Sequence, residues 1–129
     1  SARVLSQLKI VIRTNYSNPP THGGTVVSTV LNTPELYQLW VEELGGMRNR
    51  IRDMRTQLVQ KLKDHGVTQN FDFVLAQRGM FSYSGLTKEQ VEALRADHGV
   101  YAVGSGRICV AALNSGNIDH VAKSIAKVL

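Results

Sequence analysis

Between Thr33 and Asp64 the residues Leu36, Trp40, Leu44, Met47, Ile51, Met54, Leu58 and Leu62 recur at spacings of four and three, the period of one face of an α-helix. No other feature limits the possible folds as much. Thr33 can cap the helix, Pro34 suits its first position, and Gly66 after His65 supplies a stop. The apolar stripe reads as core packing. The pair Gly45-Gly46 interrupts the pattern and is expected to disturb the helix there.

After Gly66 the period shortens. Phe71-Asp72-Phe73-Val74-Leu75 and Met80-Phe81-Ser82-Tyr83 read as two short strands, paired antiparallel around Arg78-Gly79. Thr87, Glu89 and Gln90 open a short capped helix that carries Val91 and Leu94 and ends at Gly99. Strands are expected at residues 100–103 and 107–111, joined by Gly104-Ser105-Gly106. A closing amphipathic helix follows, marked by Ile118, Val121, Ala122, Ile125 and Val128, with Asn114 or Ser115 as its cap. The order points to an α/β unit: a long helix and a small, mostly antiparallel sheet packed with helices. Residues 1–30 fit less neatly. Leu5, Leu8 and Ile12 suggest a helix, Asn15 to Pro20 an extended ordered loop forced by the paired prolines, and Val26 to Leu31 a second apolar stretch.

With 129 residues, 43% of them hydrophobic, the chain suffices for one core, and no apolar run approaches the roughly 18 residues of a membrane span. Arg3, Gln7 and Lys9 interrupt the apolar residues at the start, so these lack the shape of a secretory leader and the cytoplasm is expected. Cys109 has no partner cysteine, and His22, His65, His98 and His120 show no metal-ligand spacing, so no metal is expected. Asn15-Tyr16-Ser17 matches a glycosylation acceptor but reads as accidental in a cytoplasmic chain. The net charge of +5 raises a nucleic-acid reading, and its densest basic run is Arg48, Arg50, Arg52, Arg55, Lys61 and Lys63. Glu35, Glu42, Glu43, Asp53 and Asp64 bring the same helix close to neutral. A solvated helix face is the simpler account.

Two arginines differ from the rest by their setting. Arg13 closes the first helix and enters the Asn-Tyr-Ser-Asn-Pro-Pro loop; Arg107 follows Gly104-Ser105-Gly106 at the mouth of a strand. A planar, permanently charged guanidinium can hold a carboxylate or phosphate by two parallel hydrogen bonds, and nearby glycines let a ligand approach the backbone. The simpler account from composition is that each is a surface or ion-paired arginine. Spacing does not separate the two readings.

Three stretches carry a resemblance that does. Arg13 to Pro20 with Gly23 after it, Gly79-Met80-Phe81-Ser82-Tyr83-Ser84-Gly85-Leu86, and Val100-Tyr101 through Ser105-Gly106-Arg107 to Val110-Ala111 resemble, in order, segments of bacterial aspartate and aromatic amino acid aminotransferases. The similarity runs along essentially the whole chain; Ala112 departs from the family's usual Gly. It implies the small C-terminal domain of a fold-type I pyridoxal 5'-phosphate enzyme that works as a homodimer, exchanging an amino group between amino acid and 2-oxo acid substrates. By the same resemblance Arg107 would bind the substrate α-carboxylate. Arg13 would reach the neighbouring subunit's site and bind the distal carboxylate of aspartate or glutamate. Phe81 would line the substrate pocket, and Ser17 and Asn18 would lie in the interface loop near the cofactor phosphate. Arg78 and Cys109 look closer to the aromatic branch, whose members also accept dicarboxylates, so the branches stay unseparated.

Transamination also needs a lysine to hold the cofactor and an acidic partner for its ring nitrogen. Neither is recognisable: Lys9, Lys61, Lys63, Lys88, Lys123 and Lys127 all fall on expected helices, outside the family's Ser-x-x-Lys setting. The resemblance therefore implies a catalytically silent piece of a longer enzyme, with residues 1–24 ending the large domain and residues 25–129 forming the small one. The rival class is a basic α/β module that binds nucleic acid through strand aromatics. Arg78-Gly79 faintly matches the start of an RNA-binding pattern, but Met80, Phe81 and Ser82 stand where aromatic, small and aromatic residues are needed.

Overall fold

The stripe of apolar residues is realised as one helix, Pro34–Asp64, in a computed structural model that describes residues 1–129. In chain order the helices are α1 (Ala2–Asn15), α2 (Thr21–Asn32), α3 (Pro34–Asp64), the single turn α4 (Phe73–Ala76), α5 (Lys88–His98) and α6 (Ile118–Val128). The strands are β1 (Phe81–Tyr83) and β2 (Arg107–Cys109), the latter running into a 3-10 turn at Val110–Ala112. The expected α/β unit is thus a helix-rich fold with one small antiparallel sheet of two strands. The chain divides into two compact units, Ser1–Glu43 and Leu44–Leu129. The boundary expected after residue 24 falls inside α2.

The first unit contains α1, α2 and residues 34–43 of α3. Neither α1 nor α2 has a buried residue, and Leu36 and Trp40 of the stripe are about 40% exposed. Over this half the stripe is exposed in this chain, and the core expected along it begins only at Ile51 and Met54. The extended loop expected from Asn15 is shorter, since α1 continues to Asn15 and α2 starts at Thr21, with Pro20 preceding its first turn. Gly23 and Gly24 lie within α2, and Gly45-Gly46 within an unbroken α3. The weak helix propensity of glycine thus interrupts neither helix.

The second unit holds the core. Met54, Leu58, Val59 and Leu62 of α3 pack with Val91 and Leu94 of α5, Ile118, Ala122 and Ile125 of α6, and Phe71, Val74, Leu86, Val110 and Leu113. Buried positions occur in adjacent pairs along α3, at Met54-Arg55 and Leu58-Val59, so its covered face is broader than a single column. Lys61 Nζ bonds Asp119 Oδ1 at 2.9 Å and ties α3 to α6. The hydrogen bond from Lys61, then its charge, lowers the Asp119 pKa. A folded value below the unfolded one means the stabilisation is present above the unfolded value, about 3.9, and is lost as pH falls through the folded value. Asp119→Asn should accordingly flatten the decline of stability below about pH 4 in an acid-unfolding series.

The local signals around α5 are realised in full. Thr87 accepts from the Gln90 amide, the Gln90 side chain accepts from the Thr87 amide, and Gly99 closes the helix at φ 65°. Thr87→Ala should cost about 1 kcal/mol, seen as faster amide exchange in the first turn of α5. Two strand expectations are overturned. Residues 71–75 contain a helical turn, because Asn70 Oδ1 accepts from the Asp72 amide at 2.7 Å and starts a local turn that Val74 N to Phe71 O continues. Residues 100–103 form no strand; Val103 N meets Arg107 O at 3.2 Å and the chain turns instead. The partner of β1 is β2, in the register Phe81↔Cys109, Ser82↔Ile108, Tyr83↔Arg107. Asn117, rather than Asn114 or Ser115, precedes α6, and its side chain is bonded to the Asn114 amide and the Ala112 carbonyl.

Candidate functional site

The register of the sheet decides which side chains can meet. Paired residues share a face and successive ones alternate, so Phe81, Tyr83, Arg107 and Cys109 project to one side, Ser82 and Ile108 to the other. Ser82 is buried while Phe81 and Tyr83 are exposed, which fixes the first set as the outer one. Arg107 therefore lies diagonally across from Phe81, and its Cζ sits 4.9 Å from the centre of the Phe81 ring, within cation–π range. The structure brings together these two residues of the expected site.

The backbone that presents Arg107 is closely held. Gly106 lies at φ 79°, and a Cβ on it would come within 2.8 Å of the Leu86 carbonyl oxygen. Gly106 N donates to Val103 O at 2.8 Å, while its carbonyl accepts from Ser84 N at 2.9 Å and from Ser84 Oγ at 2.6 Å. Ser84 is buried, so the turn before Arg107 is locked from inside. The guanidinium itself is exposed and makes no ion pair with a carboxylate of the chain. A charged fork with an aromatic wall beside it can take a planar anion such as a carboxylate.

Arg13, Ser17 and Asn18 belong to the first unit. Arg13 is in the last turn of α1, and its Nη1 donates to Ser17 Oγ. Ser17 adopts φ 62°, a left-handed conformation uncommon for a residue with a side chain. Its amide returns to the Ile12 carbonyl at 3.0 Å, and the Asn18 amide to the Tyr16 carbonyl at 2.7 Å. The helix end thus curls so that Ser17 meets Arg13. Asn18, Pro19 and Pro20 then border an open depression of about 670 Å³ along α2.

Sequence reasoning missed the residues that hold β1. Gln77 clamps Tyr83 by two bonds, side-chain amide to carbonyl at 3.0 Å and backbone amide to Oε1 at 2.8 Å. Arg55, counted above with a solvated basic face, is 4% exposed and bonds only neutral acceptors. Burial, and then the neighbouring Arg78 cation, lower its pKa. A signal was present: Ile51, Arg55, Leu58 and Leu62 keep the same four-three-four spacing as the stripe. Arg50 donates to the Ala111 and Leu113 carbonyls, and Lys63 to Asp72. The basic run is therefore largely spent on internal bonds rather than offered as a groove for nucleic acid.

Residues 1–125 match the family model described as aminotransferase class I and II. The aspartate aminotransferase of Pseudomonas aeruginosa is 64% identical over 129 residues, covering 100% of this chain and 32% of that protein. The aromatic-amino-acid aminotransferase of Escherichia coli is 50% identical over 129 residues, again 32% of its length. Among solved structures, an aromatic-amino-acid aminotransferase from Burkholderia pseudomallei, covalently bound to pyridoxal phosphate, superposes with a TM-score of 0.97 at 66% identity. The match covers 99% of this chain and 32% of that one. The chain spans about a third of the length of these relatives. It belongs to the class I and II aminotransferase family.

Proposed function

We propose that the protein carrying this chain moves an amino group between aspartate or an aromatic amino acid and 2-oxoglutarate. The observation that carries this reading is the exposed Arg107 guanidinium, held 4.9 Å from Phe81 and unpaired by any carboxylate of its own chain. In this proposal Arg107 grips the substrate α-carboxylate, Phe81 lines the pocket beside it, and Arg13 binds the distal carboxylate in the neighbouring subunit of a homodimer. The shared grip on every substrate and the separate grip on dicarboxylates then reside on different elements. Phe81 also gives an aromatic substrate an apolar wall.

Pyridoxal 5'-phosphate, when bound, supplies an electron sink at the substrate's α-carbon. The residues here fit only its rim. Ser17 and Asn18 offer exposed polar groups suited to the phosphate. The lysines are helix-surface residues, with Lys61, Lys63 and Lys88 paired to Asp119, Asp72 and Glu92. We accordingly propose that the chain alone is inactive, with residues 1–24 ending the large domain and residues 25–129 forming the small C-terminal domain of the complete enzyme. The exposed apolar residues of α1 support the assignment of residues 1–24, since such surface requires a cover. We place the enzyme in the cytoplasm, in keeping with the unpaired Cys109 of this chain.

The test is transamination by the full-length protein, with aspartate and with tyrosine as donors and 2-oxoglutarate as acceptor. Activity on both supports the proposal, and the rate ratio assigns the branch. Inactivity on both overturns it.

A further inference from the structure

We propose that Arg55 is a positioning residue for the substrate grip: from inside the fold it fixes the face of β1 that keeps Phe81 beside Arg107. The inference rests on the reading of Arg107 and Phe81 as the binding pair. Arg55 does not touch their outer face. Its Nη1 donates to the buried Ser82 Oγ and to the Val74 carbonyl at 3.3 Å; its Nη2 donates to the Gly79 carbonyl and to the Phe81 carbonyl at 3.1 Å. One guanidinium thus ties α4, Gly79 two residues before β1, and two successive residues of β1 to α3.

Three features make this a register device rather than ordinary core filling. β1 is only three residues long, so its short ladder to β2 is a weak determinant of register. Ser82 is its single inward-facing residue, and its hydroxyl is bound by Arg55. A slip by one residue would turn Phe81 inward and remove it from Arg107. The third feature is chemical. No carboxylate pairs with Arg55, so its charge is met entirely by carbonyl and hydroxyl dipoles. Four acceptors shared between two guanidinium nitrogens suit the fixed five-donor fork of arginine and not the compact ammonium of lysine. The same bonds also satisfy backbone carbonyls of a segment that has little regular structure of its own.

The test uses the full-length protein with its cofactor and a double-mutant cycle of Arg55→Lys with Phe81→Leu. Arg55→Lys is expected to raise KM for the amino acid about tenfold with kcat within about twofold. In the Phe81→Leu background the same change should move KM by less than about twofold, because a residue acting through Phe81 has nothing left to position. An equal KM effect in both backgrounds, or none in either, overturns the proposal. Ser82→Ala, which keeps Arg55 and removes one acceptor, answers the same question with a smaller change if the lysine variant does not fold. In parallel, fluorine NMR of fluorophenylalanine-labelled protein follows the Phe81 ring, its signal identified by loss in Phe81→Leu. Displacement of that signal by Arg55→Lys is expected, and an unmoved signal overturns the proposal. An inactive wild type would overturn the transamination reading alone, and the ring signal would still decide the role of Arg55.

Discussion

Arg107→Ala in the full-length protein should lower kcat/KM for both aspartate and tyrosine by roughly two to four orders of magnitude. A bidentate grip on a carboxylate contains two charge-assisted hydrogen bonds, each worth about 1.5–3 kcal/mol. Their loss together gives about 3–6 kcal/mol in the transition-state comparison. The substrates should suffer alike, since both present the same α-carboxylate. Arg107→Lys retains the charge without the fork and should fall between wild type and alanine. Arg95 provides the control: it lies on α5 with its Cζ 6.0 Å from the Tyr101 ring, outside the proposed grip. Arg95→Ala should leave the rates within about twofold. Steady-state kinetics on the three variants checks the prediction, and an Arg107→Ala enzyme with near-normal kcat/KM would remove Arg107 from substrate binding.

How far the fold was legible follows from how local its determinants are. α3, α5 and α6 announce themselves by helical spacing, and α5 also by a complete capping box within four residues, Thr87 to Gln90. The sheet does not. β1 and β2 are three residues each, and they join segments separated by an entire helix, so no neighbouring pattern specifies their pairing. The alternation of residues 71–75 was too short to distinguish a strand from the turn that Asn70 nucleates. At the site, Arg107 was marked by its glycine-rich approach and, with Phe81, by the family resemblance. Arg55 was hidden because a basic residue on a long helix is normally solvated, and its partners are backbone carbonyls that any sequence possesses. The exposed half of the α3 stripe marks another limit. Periodicity identifies an apolar face but says nothing about which chain covers it.

Gly106→Ala should be the most damaging single-methyl change in the second unit. Two costs coincide at this position. The backbone at φ 79° is unfavourable for a residue with a Cβ, by about 1 kcal/mol or more. The added carbon would also stand 2.8 Å from the Leu86 carbonyl oxygen and 3.4 Å from Ser84 Oγ. Neither is a flexible chain end that can move aside: Leu86 O is backbone, and the Ser84 hydroxyl is committed to the Gly106 carbonyl at 2.6 Å. Together the two costs imply a destabilisation of about 3 kcal/mol. Gly104 lies just before it, yet its backbone is not left-handed and its nearest obstacle is Lys88 Cγ at 4.0 Å, so Gly104→Ala should stay within about 1 kcal/mol of wild type. Thermal or denaturant unfolding of both variants in the full-length protein measures the contrast. Because Gly106 directly precedes Arg107, whatever folded Gly106→Ala enzyme survives should also show a raised KM. Equal stability of the two alanine variants would show that the turn relaxes freely, and that the grip on Arg107 depends on β2 rather than on the approach to it.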